Sequence, residues 1–383
     1  MESVGIFNVR LLGDGEEALS GSVIVRGGQI ESVHYGNDAA AAADITLDGC
    51  GQLLIPGMID VHIHGADGFD MMDGTDRSVE AVSSACARSG CTSFLATSVS
   101  SSLEDLLRMI SSVSRVAGKE PGANIAGIHA EGPYLNLKRK GMQNENYLRH
   151  PNPEEMKIIL DHTGSLLRMV TIAPELPGGM EMVSFLADRD IIVSIAHSDA
   201  TYEEAKQAFQ CGASHVTHCF NGMRPIHHRD PGLVVAAFEE EHVSVQAIVD
   251  DVHLHPAIVR LMYREKGAGS MVLITDALQA MGLGDGKYVF GGHEVMVRQG
   301  VATLADGTLA SSTVTMNEAL AKTVRAGIPL RDAVTMGTKT PADLLGLEKK
   351  GRIRDGADAD MVLLDDEFQV LWTMVNGKLV YRR

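Results

Sequence analysis

The stretch Leu53-Leu54-Ile55-Pro56-Gly57-Met58-Ile59-Asp60-Val61-His62-Ile63-His64 marks a change in the character of the chain. Before it, the runs Ile6–Leu12, Ser22–Arg26 and Gln29–His34, broken by turns such as Gly27-Gly28, read as a small β unit. From Leu53 onward apolar runs alternate with helical stretches, the pattern of βα units around a parallel sheet. The runs are Leu53–His62, Thr92–Ser98, Asn124–Ala130, Leu166–Ala173, Ile191–Ala196, Ser214–Thr217, Val243–Val249 and Ser270–Thr275. Helical spacing falls between them at Ser78–Arg88, Leu103–Val116, Pro153–Asp161, Met180–Ala187, Tyr202–Gln210 and Pro256–Lys266, and after them at Asn317–Ala326 and Leu330–Leu345. Eight strands with interleaved helices, and no GxGxxG after the first, predict a (β/α)8 TIM barrel over an open doubly wound sheet.

Two further β segments complete the chain. Lys287–Leu309 reads as a hairpin inserted after the eighth strand, and Gly351–Arg383 returns to strands at Met361–Leu364, Val370–Val375 and Lys378–Tyr381 around the turn Asn376-Gly377. The expected architecture is α/β: a catalytic barrel over 55–345, beside a small discontinuous β-sandwich-like domain built from both termini, 1–54 and 346–383.

Composition narrows the function classes. The 383 residues are 45% hydrophobic and 22% charged, ordinary for a globular protein and far from a disordered one. A formal net charge of −17 repels nucleic acid and anionic membranes, so neither is an expected partner, and an anionic substrate needs a local basic group. Cys50, Cys86, Cys91, Cys211 and Cys219 are few, odd in number and without a CxxC pair, which favours a reducing compartment. The opening Met1-Glu2-Ser3-Val4-Gly5 lacks the basic start of a signal peptide, and no uncharged apolar run of around 20 residues occurs. A cytoplasmic protein is the expectation.

In such barrels the reacting groups stand at the C-terminal ends of the strands. Those ends read His62-Ile63-His64, His129-Ala130-Glu131, His197, His218 and Asp276. Imidazole and carboxylate bind borderline divalent ions such as Zn²⁺ or Fe²⁺. Strand alternation turns His62 and His64 to one side, where both reach one ion, with Ile63 turned away. Glu131 has two oxygens, enough to hold one ion or bridge two; its plainer alternative is an ion pair with Lys138 or Arg139. Asp276 has two compatible jobs: a ligand to an ion at His62 and His64, and the acceptor of a proton from the attacking water. Cys219 and the 19 methionines read as packing residues, and His227-His228 as a solvated or phosphate-side pair.

The run Ile55–Gly65 resembles the opening signature of the metal-dependent amidohydrolase superfamily, and Gly351–Asp360 resembles its return into a β domain. A closer resemblance, to the family of N-acetylglucosamine-6-phosphate deacetylases, rests on His129-Ala130-Glu131-Gly132-Pro133-Tyr134, Lys140-Gly141, Ala196–Ala200, Thr217–Met223 and Ile274–Ala277. The resemblance implies a principal metal on Glu131, His197 and His218, and a second ion at His62 and His64, one or two per subunit. Many amidohydrolases bridge their ions with a lysine of strand four; here Met169–Glu175 has none, and Glu131 stands in position to serve.

By the same resemblance Asn221, the Gly222 backbone, His253 and Arg229 contact a sugar phosphate, with Arg229 reaching into a neighbouring subunit of a homodimer. A guanidinium suits phosphate oxygens. Met142 and Gln143 stand at a substrate-contact position where some relatives carry histidine, and Leu309, Ala310 and Ser311 where the family often has Leu-Ala-Gly. The implied reaction is hydrolysis of an amino-sugar phosphate acetamide. Asp276 takes and returns the proton, and His253 or Gln143 lies beside the developing oxyanion. Another amidohydrolase, such as a deaminase or dipeptidase, and a non-catalytic barrel are the competing readings.

Overall fold

The computed structural model describes residues 2–12, 18–36 and 43–383. Residues 1, 13–17 and 37–42, which fall in the expected 1–54 segment, lie outside the described residues. Seven strands from the two ends of the chain form one sheet, in the order Lys378–Arg382, Val370–Val375, Met361–Leu364, Ile45–Pro56, Ser3–Leu12, Ala18–Arg26 and Gln29–Tyr35. The ends are joined where Leu54 faces Leu363 and Ile55 faces Val362 in antiparallel register. Ile6, Leu11, Val23, Leu54, Met361 and Trp372 pack together on this sheet, and the Asn376-Gly377 turn adopts the left-handed backbone that tight hairpins require.

The run Leu53–His62 is not one strand. Ile45–Pro56 ends in the terminal sheet and Met58–Ile63 begins the parallel one. The break is Gly57, whose N–H donates to the Asp360 carbonyl at 2.9 Å and whose missing side chain makes room for Thr92.

The parallel sheet has eight strands in sequence order: Met58–Ile63, Cys91–Thr97, Asn124–Glu131, Leu167–Ile172, Ile192–Ile195, His215–Val216, Ser244–Ile248 and Met271–Ile274. Its ends meet. Ile63 bridges Ala277, Asp276 N–H donates to the His62 carbonyl at 2.8 Å, and Thr275 Oγ1 donates to Asp60 Oδ2 at 2.6 Å. The sheet therefore curls into a TIM-barrel-like ring. Helices lie between successive strands, as amphipathic spacing requires: Leu103–Val116 buries Leu106, Met109, Ile110 and Val113 on one stripe, and the Ser102 hydroxyl caps its start.

Two helical readings are revised. Leu330–Leu345 is two helices, Leu330–Gly337 and Lys339–Leu344, because Pro341 cannot share a helix with the carbonyl of residue 337. Gly232–Glu239 is a further helix, apolar without a break from Leu233 to Phe238 and so without the periodicity that marks the others. After the eighth strand, Gly286–Phe290, His293–Arg298 and Val301–Thr303 form a separate antiparallel sheet. Among the described residues no helix is long and apolar enough to cross a membrane.

Inside the ring, residues stack in layers. Ile59, Val61, Leu95, Met169, Ile248, Val272 and Ile274 form an apolar cluster. A polar layer follows, in which His129 Nε2 lies 2.7 Å from Thr171 Oγ1, and the Thr217 hydroxyl lies 2.8 Å from Thr171 Oγ1 and 2.5 Å from Ser194 Oγ. Plain alternation from Ile59 and Val61 would turn Ile63 inward and both histidines outward. Instead, three steps from Asp60 to Ile63 oppose two from Phe94 to Ala96, a β-bulge that re-aims the strand. Asp60 holds the bulge through bonds from the His62 and Thr275 amides at 3.2 and 3.3 Å, and its burial raises its carboxyl to about 7.

Candidate metal centre

The bulge delivers His62 and His64 to the interior with Nε2 atoms 3.0 Å apart. Asp276 Oδ1 lies 3.1 Å from His64 Nε2 and 3.4 Å from His62 Nε2. Beside them, His218 Nε2 lies 3.1 Å from both Glu131 Oε1 and His197 Nε2, and Glu131 also approaches His62 and His64 at 3.6 Å. The six side chains thus form two groups of candidate ligands, His62, His64, Asp276 and Glu131, His197, His218. Both are buried. Lys138 and Arg139 pair with Asp199 at 3.3 and 2.9 Å, so the alternative ion pair for Glu131 is not formed.

The second atoms of these ligands show what the first atoms are for. His62 Nδ1 lies 3.0 Å from Gln246 Oε1, His64 Nδ1 3.3 Å from the Thr97 carbonyl, His197 Nδ1 2.9 Å from the Arg139 carbonyl and His218 Nδ1 3.2 Å from the Asn221 carbonyl. Each imidazole donates from Nδ1 and presents Nε2, the arrangement in which histidines bind metals. Nε2 lone pairs about 3 Å apart repel unless a positive charge lies between them. The cluster already draws protons. Burial opposes charge on His64, yet the Asp276 bond and the Glu131 charge raise it to about 8, while burial holds His62 at about 4. Asp276, pushed up by burial, is pulled down to about 2 by His62 and His64. Glu131, also pushed up by burial, is held well below the usual carboxylate range by His62 and the bonds from His197 and His218. Two ionised carboxylates and four inward imidazole nitrogens fit one or two divalent ions.

The local backbone is bent to achieve this. His197, His218 and Asp276 have φ of 46°, 29° and 49°, a left-handed conformation costly for side-chain-bearing residues, which concentrates at functional sites. The supports are groups to which the sequence reading gave no role. Gln246, fully buried on the seventh strand, accepts from both His62 Nδ1 and the His218 amide at 3.2 Å, tying the two groups together. Asp199 gathers Lys138, Arg139 and Arg224 and so fixes the loop whose Arg139 carbonyl orients His197. For Gln246 the available signal was an amide within the apolar run Val243–Val249; for Asp199 it was its place two residues after His197. His129 belongs to the polar layer beneath the ligands, and the buried His215 lies with its Nδ1 2.6 Å from Ser244 Oγ.

A cavity of about 260 Å³ opens above the ligands, lined by His64, Glu131, His197, His218 and Asp276 and by Gly141, Met142, Gln143, Asn221, Gly222, His253, Phe290, Thr308, Leu309 and Ser311. It is slightly smaller than drug-sized ligand sites, which span roughly 300–1,000 Å³. Of the expected substrate residues, Ala310 is buried among Val99, Phe290, Val295 and Val297 and is not part of the lining. Arg229 lies outside the lining, exposed and bonded to His228 at 2.8 Å. Gln143 is committed elsewhere: its Oε1 accepts from the Ser100 amide at 2.8 Å and its Nε2 donates to Glu131 Oε2 at 2.6 Å, so it orients the carboxylate. His253 is gripped through Nδ1 by Asp250 at 2.7 Å. Despite its burial, that bond raises it above the usual imidazole range.

Ligands from the rim of a parallel ring, set on HxH, Glu, His, His and Asp, define a class of metal-dependent hydrolase. The family model described as the amidohydrolase family matches residues 53–380, and the chain belongs to that family. Its N-acetylglucosamine-6-phosphate deacetylase relatives include one from Lysinibacillus sphaericus, 38% identical over 87% of each chain, and one from Bacillus subtilis (strain 168), 34% identical over 99% of this chain and 98% of the relative. The crystal structure of N-acetyl-D-glucosamine-6-phosphate deacetylase from Mycobacterium smegmatis superposes over all of both chains with a TM-score of 0.90 at 35% identity. That from Pasteurella multocida gives 0.92 at 31%, covering 98% of this chain and 99% of the other. Within the amidohydrolases the chain therefore falls with the N-acetylglucosamine-6-phosphate deacetylases.

Proposed function

We propose that this chain hydrolyses the acetamide of N-acetyl-D-glucosamine 6-phosphate to D-glucosamine 6-phosphate and acetate, in amino-sugar catabolism or recycling. The carrying observation is the pair of ligand groups beside one small cavity, with the Asp276 carboxylate among the residues that line it. Glu131, His197 and His218 would hold the principal ion, and His62, His64 and Asp276 a second. A divalent ion there acidifies water and polarises the amide carbonyl.

The chain's own residues supply the rest. Asp276 is ionised by its surroundings, so it accepts the proton of the attacking water and passes it to the departing nitrogen as the C–N bond breaks. Gln143 holds Glu131 in place. His253, anchored through Nδ1, has Nε2 left to meet the substrate.

The cavity lining contains no lysine or arginine. A phosphate on the −17 protein therefore needs a cation from elsewhere, and we read Arg229 as entering the cavity of a second copy in a homodimer, beside Asn221 and the Gly222 backbone. The architecture is read as a (β/α)8 TIM barrel over 55–345 with a small sandwich-like β domain from 1–54 and 346–383, which the shared terminal sheet supports. Five free cysteines support a cytoplasmic setting, and the acidic charge speaks against nucleic acid or membrane partners.

Acetate release from N-acetylglucosamine with and without the 6-phosphate tests the reading. Loss of most of kcat/KM without the phosphate is expected; equal values would point to another amidohydrolase activity. N-acetylgalactosamine 6-phosphate belongs in the same assay, since a relative from Escherichia coli O157:H7, 33% identical over 86% of this chain and 88% of the relative, is an N-acetylgalactosamine-6-phosphate deacetylase.

A further inference from the structure

Two strained residues meet at the rim of the cavity. Asp276 has φ of 49° and Ser311 has φ of 65°, a conformation that glycine adopts freely and serine does not. The segments carrying them run side by side: the Ser312 amide donates to the Asp276 carbonyl at 2.9 Å, and the Ser312 hydroxyl donates to the Thr275 carbonyl at 2.5 Å. The backbone contact is thus already secured by Ser312. Ser311, a residue of the cavity lining, adds a buried hydroxyl whose single proton is shared between the Asp276 carbonyl, at 2.6 Å, and Asp276 Oδ1, at 3.0 Å.

The two oxygens of Asp276 are not equivalent. Oδ1 faces His64 at 3.1 Å, His62 at 3.4 Å and the Ser311 hydroxyl. Oδ2 makes no hydrogen bond among the described residues. A carboxylate held on one oxygen only by ligand contacts rotates about its last bond, because terminal sp² torsions are broad. A hydroxyl fixed on the neighbouring segment removes that freedom.

We propose that Ser311 is a positioning residue for the hydrolytic reaction: its hydroxyl locks Asp276 with Oδ1 toward the ligand group, leaving Oδ2 as the oxygen that carries the proton between water and leaving group. The inference rests on the deacetylase reading, so wild-type turnover is its control.

The test pairs Ser311→Gly with Ser311→Ala. Both remove the hydroxyl, but only glycine relieves the backbone, so the two separate the hydroxyl's effect from strain. The expected result is the same fall in kcat in both, about 10–100-fold as for other groups that orient metal-site residues, with KM within twofold and metal content per chain unchanged. Wild-type kcat in Ser311→Gly, or a kcat loss matched by metal loss, overturns the proposal while leaving the deacetylase reading intact. Absence of acetate release by the wild-type protein overturns both.

Discussion

In the group of Glu131, His197 and His218 the carboxylate is closed in, its side chain 3% exposed, with Oε1 against two imidazoles and Oε2 bonded to Gln143. In the group of His62, His64 and Asp276 the carboxylate side chain is 11% exposed and borders the cavity, with one oxygen committed and one unbonded. The same residue types therefore divide the work. On the proposed reading, the acid whose oxygens are both engaged would hold an ion, and the acid with an unbonded oxygen would move a proton. The supports divide in the same way: Gln143 and Gln246 bond candidate ligands, while Ser311 and Asp250 bond Asp276 and His253, the groups proposed to meet the substrate.

Replacing the mobile acid should break this contrast most sharply. Asp276→Asn keeps the shape and loses the proton carrier, so kcat falls by about 10²–10⁴-fold, while elemental analysis still finds the ion of the Glu131 group. Unchanged turnover would remove Asp276 from the chemistry. Gln246→Leu tests the shared support. Because Gln246 Oε1 serves both His62 and His218, metal affinity should weaken at both positions, by about 10–100-fold in competition with a chelator. Weakening at one position alone would mean that the groups are independent.

The smallest expected effect concerns the buried His215. Burial pushes His215 down to about 3, so the folded protein refuses a proton that the unfolded chain accepts near 6.5. The folded-state value lies below the unfolded one; stability is therefore lost as pH falls from about 6.5 toward about 3. His215→Gln removes this penalty. Between pH 7 and 5 the variant should lose about 2 kcal/mol less unfolding free energy than the wild type, measured by urea titration. Parallel losses would show that His215 does not carry the acid sensitivity.

Much of the centre was legible before the fold was seen. Topology makes strand ends converge, so His62, His64, Glu131, His197, His218 and Asp276 could be gathered from eight apolar runs alone. The aim of His62 and His64 was right for an incomplete reason. Alternation alone would turn them outward from the Ile59 and Val61 face, and the bulge that corrects this is a register mismatch with the second strand, invisible within either strand by itself. Gln246 and Asp199 were missed because their value lies in partners far away in sequence. Ala310 was expected among the substrate contacts; it is buried beside Phe290 and is not part of the cavity lining. Gly232–Glu239 was missed because a helix apolar from Leu233 to Phe238 has no polar face to give it a period.

The central claim is that ions gripped by these six side chains are needed to cleave the amide. Stripping the protein with a chelator, then refilling it with counted Zn²⁺ or Fe²⁺ while recording acetate release from N-acetylglucosamine 6-phosphate, tests it most directly. The account predicts no turnover in the stripped protein and recovery in step with one to two ions per chain; full turnover at zero bound metal would contradict it.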